Sequence, residues 1–171
     1  MKTLKPTLAI LFIALFSLSC SNNDDTPAQN QPPAAVNYFL KAKIDGVQYQ
    51  TDAAFRVLSN SSADRIKITS VLFDNRNFEL QIDRPIGTGT YTYPMPSGVD
   101  YVLRMEYGDA TAATALWRTG ACSGTTGTLT ITTLSATEIS GTFSFSGKRT
   151  SFCSDPAKLI TEGSFKSGIT Q

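Results

Sequence analysis

Leu40, Ala42 and Ile44 alternate with Lys41 and Lys43, and Asp45-Gly46 then leads into Val47 and Tyr49. Alternation of period two puts one face of an extended chain in a core and the other in water, and Asp-Gly between two such runs is a strong hairpin signal. Strands are therefore expected at about 38–44 and 47–51, with a short one at 55–58 before a Ser59-Asn60-Ser61-Ser62 turn. Ile66, Ile68, Ser70 and Leu72 share a face of the next strand, and Phe78-Glu79-Leu80-Gln81-Ile82 follows the turn residues Asp74-Asn75-Arg76. Tyr91-Thr92-Tyr93 is a short strand cut off by Pro94 and Pro96, which mark an edge or a loop.

Residues 101–107 and 113–118 read as two more strands around a Gly108-Asp109 turn, and 127–134, 138–145 and 159–165 complete a meander. Nothing beyond the first twenty residues keeps a helical period over ten residues. The expected fold is all-β, an antiparallel β-sandwich of nine or ten strands over residues 37–171; a flattened, lipocalin-like barrel is the alternative. The two differ in function class, because a closed barrel encloses a cavity for a small hydrophobic ligand and a sandwich presents loops and faces to a protein or glycan.

The start of the chain follows another pattern. Lys2 and Lys5 precede an apolar run from Leu8 to Leu18, too short to cross a bilayer core of roughly 30 Å as a helix. The run ends Phe16-Ser17-Leu18-Ser19-Cys20, so residues 1–19 read as a lipoprotein signal peptide and Cys20 as the lipidated residue, although Ser17 stands where such sites prefer Leu. Cleavage nearby by an ordinary signal peptidase and an uncleaved anchor are the alternatives. Residues 21–36 carry Pro, Asn, Gln and Asp with little to bury, which suits a disordered tether. Ser21-Asn22-Asn23-Asp24-Asp25 is similar to the acidic export signal that sends Bacteroidetes lipoproteins to the outer face of the outer membrane. The expected location is thus the outer membrane, lipid-anchored and facing the exterior, with the periplasmic face as the alternative.

Ala42-Lys43-Ile44-Asp45-Gly46-Val47, Pro85-Ile86-Gly87-Thr88-Gly89-Thr90-Tyr91, Gly127-Thr128-Leu129-Thr130-Ile131-Thr132, Ile139 to Phe145 and Glu162-Gly163-Ser164-Phe165 occur in that order. Taken together they resemble a family of small Bacteroidetes surface lipoproteins of unknown function. The resemblance spans nearly all of residues 38–167; it implies an all-β fold and carries no activity and no catalytic residues.

Composition narrows the chemistry. The chain has no histidine, which excludes Ser-His and Cys-His nucleophilic machinery and His-ligated zinc. The fifteen basic residues less Lys2 and Lys5 stand against fourteen acidic ones, a near balance that gives nucleic acid no attraction. No cofactor or metal is expected, and no enzyme. With Cys20 lipidated, Cys122 and Cys153 form an even pair in an oxidising compartment, and a disulfide joining the 118–127 and 147–157 loops is expected. Two buried thiols, or a two-thiolate metal site without further ligands, are the alternatives.

Tyr91, Tyr93 and Trp117, with Tyr101 and Tyr107 nearby in sequence, are candidates for a platform that stacks on a sugar ring, with Arg104 or Arg118 adding hydrogen bonds. The same aromatics suit cross-strand pairs in a core, and Trp117 suits a plug at one end of it. Asp100, Glu106 and Asp109 lack calcium-loop spacing and read as a solvated face. Glu79 with Asp83, or Asp74 with Glu106, are the pairs a carboxylate hydrolase would need. The function expected is a non-catalytic, surface-tethered binding or accessory module for a glycan or protein; a small-ligand carrier and a purely structural envelope protein are the alternatives.

Overall fold

The computed structural model describes residues 37–51, 58–62, 65–71, 76–84, 87–111 and 115–170, all within the unit Ala35–Gln171. The signal-peptide, Cys20 and tether readings lie outside the described residues, as do Leu72, Asp74, Pro85 and Ile86.

Among the described residues there are eleven strands and no helix: β1 (Phe39–Ile44), β2 (Val47–Gln50), β3 (Leu58–Ser62), β4 (Arg65–Val71), β5 (Arg76–Asp83), β6 (Gly89–Tyr93), β7 (Val102–Asp109), β8 (Ala115–Arg118), β9 (Gly127–Leu134), β10 (Glu138–Gly147) and β11 (Lys158–Thr170). The fold is a β-sandwich. One layer runs β2-β1-β11-β10-β9-β6 and the other β3-β4-β5-β7-β8, every pairing within them antiparallel. The layers are joined where the end of β11 pairs in parallel with β3, Gly168 opposite Leu58. The barrel alternative falls, because β6 and β8 end the strand order without pairing with each other. Among the described residues, one isolated bridge, Arg118 to Lys148, ties the end of β8 to the residue after β10.

Local chemistry explains the elements. Asp45 and Gly46 both have positive φ, 47° and 85°, the two-residue turn whose twist matches the flanking strands, and Ile44 pairs with Val47 across it. Alternation then sorts each strand. Ile66 and Ile68, Phe78, Leu80 and Ile82, Leu103, Met105 and Tyr107, and Leu129 and Ile131 point inward and are at most 2% exposed. Each of the larger side chains among them contributes roughly 1.5–3 kcal/mol by leaving water. The layers meet through Phe78 of β5 and Phe143 of β10, edge to face with ring centroids 5.7 Å apart.

Strand β11 breaks the period once. Phe143 pairs with Gly163 but Phe145 with Ile160, and Lys41 pairs with Ser164 but Lys43 with Thr161, so both neighbours step two residues while β11 steps three. Thr161 and Glu162 share one place in the pattern, Glu162 with φ of 51°, and this bulge lets Ile160, Gly163 and Phe165 all face inward.

Two sequence expectations are corrected. Residues 59–62 form a strand and not a turn, because β4 and the end of β11 give that backbone ladder partners on both sides. Tertiary pairing here outweighs the turn preference of Ser and Asn. Gly108 and Asp109 stay in β7, opposite Leu116 and Ala115. The chain turns just beyond, where the Asp109 carboxylate accepts hydrogen bonds from Thr111 N at 3.0 Å and Thr111 Oγ1 at 2.6 Å. The strand count agrees with the expected number of about nine or ten.

Cys122 and Cys153 are bonded, with Cα atoms 5.5 Å apart and 31 residues of separation, fastening the loop after β8 to the loop after β10. Cross-linking a loop of that size stabilises by about 3.5 kcal/mol in the chain-entropy view. Reduction, or the C122S/C153S pair, is expected to lower Tm by roughly 10 °C in calorimetry.

Three aspartates hold turns or cross-strand pairs as anions. Burial disfavours the charge of Asp45, but the Lys158 ammonium at 2.8 Å and the Leu159 amide lower its pKa below the ordinary 3.8. Asp83 is lowered in the same way, with burial outweighed by Arg65, Gln81 and Arg104, and so is Asp109, by Thr111, Arg76 and Tyr107. A carboxyl with a depressed folded pKa contributes stability that is complete above its unfolded value and lost as pH falls through the folded one. The melting temperature is therefore expected to hold down to about pH 4 and to drop below it, and D83N is expected to shrink the drop.

Candidate functional site

Because Leu129 and Ile131 face inward, Thr128, Thr130 and Thr132 face out from β9. The same logic turns Thr142 and Ser144 outward on β10, Thr90 and Thr92 on β6 and Ser164 on β11. Register aligns them into rows that cross the sheet. Thr90, Thr130, Thr142 and Ser164 stand opposite one another across four strands, and Thr92, Thr128 and Ser144 across three. The strands that carry adjacent hydroxyls are about 4.8 Å apart, and successive rows are about 6.8 Å apart along them.

Two shallow grooves run over this face and share Thr128 and Ser144. One, of about 460 Å³, is walled by Tyr93, Pro94, Ser146, Leu159 and Thr161; the other, of about 360 Å³, by Thr142, Glu162 and Ser164. Tyr93, on the inward side of β6 like Tyr91, packs against the core with its hydroxyl beside Gly120 and only borders the groove, while Leu159, 53% exposed, gives the groove apolar surface at one end. Glu162 is the one charged residue lining either groove, and Lys43 Nζ neutralises it at 2.6 Å.

The hydroxyls are partly committed. Thr90 Oγ1 and Thr130 Oγ1 are 3.1 Å apart, Thr126 N donates to Ser146 Oγ at 2.9 Å, and Thr132 Oγ1 donates to the Ser140 carbonyl at 3.2 Å. Ser164 Oγ is buried in the floor without a hydrogen-bond partner, a cost of about 1–3 kcal/mol. A neutral, hydroxyl-dense face with apolar surface at one end suits a neutral polyol: each hydroxyl both donates and accepts, and no ion pair has to be displaced.

The sequence-nominated aromatics are not brought together. Tyr91 is 8% exposed, its hydroxyl accepting from Gly87 N at 3.0 Å and donating to Gly87 O at 2.8 Å, its ring edge-on to Tyr101 at 5.1 Å. It is a core residue and leaves the expected platform, as does Tyr107, which is 2% exposed and stacks on Trp117 at 5.7 Å. Trp117 closes that end of the core and lines a separate concavity of about 290 Å³ with Asp45, Arg149, Asp155 and Lys158. Lys158 Nζ lies 4.8 Å from its ring centre, and Arg149 pairs with Asp155. Of the three, Tyr93 alone reaches the groove.

The carboxylates expected as solvated or paired are mostly tied to cations. Glu79 meets Lys67 at 2.7 Å, Asp83 meets Arg65 at 2.6 Å, and Asp109 meets Arg76 at 3.7 Å. Among the described residues no group of three or more His, Cys, Asp or Glu could hold a metal ion. Compared with known proteins, the chain matches no family model, no curated protein and no solved structure. Sequence reading took the outward Thr and Ser as the polar half of an alternation. Their signal is the Thr-x-Thr-x-Thr of 128–132 beside Thr142-Phe143-Ser144, which becomes a row only when the register is known.

Proposed function

We propose that the protein is a non-catalytic binding module, lipid-anchored through Cys20 at the outer membrane and facing the exterior, that holds a neutral glycan in the hydroxyl-lined groove. The observation that carries the ligand is the in-register row of hydroxyls flanked by Pro94 and Leu159. Sugar hydroxyls exchange donors and acceptors with Thr128, Thr142 and Ser144, while exposed Leu159 covers a C–H face. The absence of histidine, together with acids already paired to cations, supports binding without turnover. The anchor rests on the export pattern ending in Ser19-Cys20, and two or three acyl chains, at about 0.8 kcal/mol per buried methylene, make release negligible.

Two measurements test this. C20A is expected to move the protein from membrane to soluble fractions, and its retention in membranes would remove the anchor. In calorimetric titration of the full chain in detergent against neutral hexose oligosaccharides, T128V with L159A is expected to weaken binding at least about tenfold, or 1.4 kcal/mol. Absence of binding across linear and branched neutral glycans would leave a protein partner or a structural role in its place.

A further inference from the structure

On the outward face of the other layer, Arg65 of β4 stands opposite Asp83 of β5, and Arg104 of β7 stands opposite Gln81. Arg84 follows directly, and Val99, Asp100 and Tyr101 close an open cleft of about 610 Å³. The three arginines differ in how far the protein satisfies them. Arg65 Nε donates to Asp83 Oδ1 at 2.6 Å, and Gln81 Nε2 reaches both oxygens of the same carboxylate at 2.9 and 3.0 Å. Three of the roughly four acceptor positions of Asp83 are thereby taken. Arg84 and Arg104 have carboxylate oxygens no nearer than 3.9 Å, from Asp100, and 4.0 Å, from Asp83, beyond hydrogen-bond distance. Among the described residues neither guanidinium makes a hydrogen bond to the protein, so two forks, 67% and 58% exposed, line one cleft with donors open to a ligand.

Arg84 adds a second observation. Its φ is 44°, the left-handed region that residues with a Cβ enter at a cost, and strain of this kind gathers where a side chain is held for binding. Glycine would relieve it and would lose the fork.

We propose that this cleft is a second binding site, independent of the hydroxyl-lined groove, and that it reads the carboxylate of an acidic sugar through Arg84 and Arg104. A planar fork grips a carboxylate by two parallel hydrogen bonds. The other lining groups set the ligand's class. Asp100 is 82% exposed and is an acceptor for sugar hydroxyls, while Val99 and Val102, 40% and 37% exposed, offer apolar surface to the ring. Asp83 and Asp100 leave the cleft with one net positive charge against its three arginines, short of the unbroken positive surface that a dense polyanion such as nucleic acid or a sheet of lipid phosphates needs. One carboxylate on a body of hydroxyls satisfies both the spare donors and the acceptors.

The test is calorimetric titration of the full chain in detergent with a galacturonic acid trisaccharide and with the neutral galactose trisaccharide. The acidic sugar is expected to bind at least about tenfold more tightly. R84Q and R104Q are each expected to lose about tenfold without lowering Tm, because both side chains are largely in solvent. Both sugars are titrated again on the T128V/L159A variant, where the groove's own contribution is removed; the acidic sugar is expected to keep its affinity and its preference there, which separates failure of this site from failure of the groove. Equal affinity for the two sugars, indifference to R84Q and R104Q, or matching affinity for inorganic sulfate or for vesicles of anionic phospholipid would each overturn the proposal.

Discussion

The fold depends on β11 belonging to both layers at once. Its first part lies between β10 and β1, and its last residues, from Gly168, pass from β1 to β3 and so begin the second layer. A strand of thirteen residues that stayed flat would carry both neighbours along one plane. The bulge at Thr161 and Glu162 prevents this: it shifts the register against β1 and β10 at the same place and restores the inward face for Phe165. Both described sites inherit their geometry from the arrangement. The hydroxyl rows lie on the layer that β11 joins on its β10 side, and the arginine cleft on the layer that begins at β3.

Much of the fold was legible because most strands have one wet face. Leu129-Thr130-Ile131 and Phe78-Glu79-Leu80 announce their inward residues by alternation alone, and Asp45-Gly46 announces its turn. Reading failed where a strand's reason for existing is elsewhere in the chain. Residues 58–62 are extended because Arg65 to Thr69 and Gly168 to Thr170 meet their backbone, and no local residue type carries that information. The turn expected at Gly108-Asp109 was displaced by a local competitor, since Asp109 spends its carboxylate on Thr111. The pairing of Cys122 with Cys153 was legible from parity and compartment, without geometry.

The site was far less legible, for a related reason. Aromatic residues advertise themselves, and Tyr91, Tyr93 and Trp117 drew the reading toward a platform; a buried ring and a stacking ring look alike until exposure is known. The threonines of 128–132 were in plain view but mean little on one strand, because a row needs the register of β6, β10 and β11 as well. Arg65, Arg84 and Arg104 are scattered over forty positions, and the β4-β5-β7 pairing alone makes them neighbours.

The chain enters the domain at β1, which is flanked on one side by β11 and on the other by β2. A pull on the N-terminal side of the domain therefore meets an inner strand first. Phe39 to Ile44 run against Lys166 to Ile160, so tension along β1 loads those hydrogen bonds lengthwise and together, in shear, and does not unzip them one at a time. The hairpin to β2 adds a second ladder, and the Leu40 amide donates to Thr51 Oγ1 at 2.9 Å just past its end. Under the proposed anchoring, a load on the domain enters along β1, where the two ladders take it together.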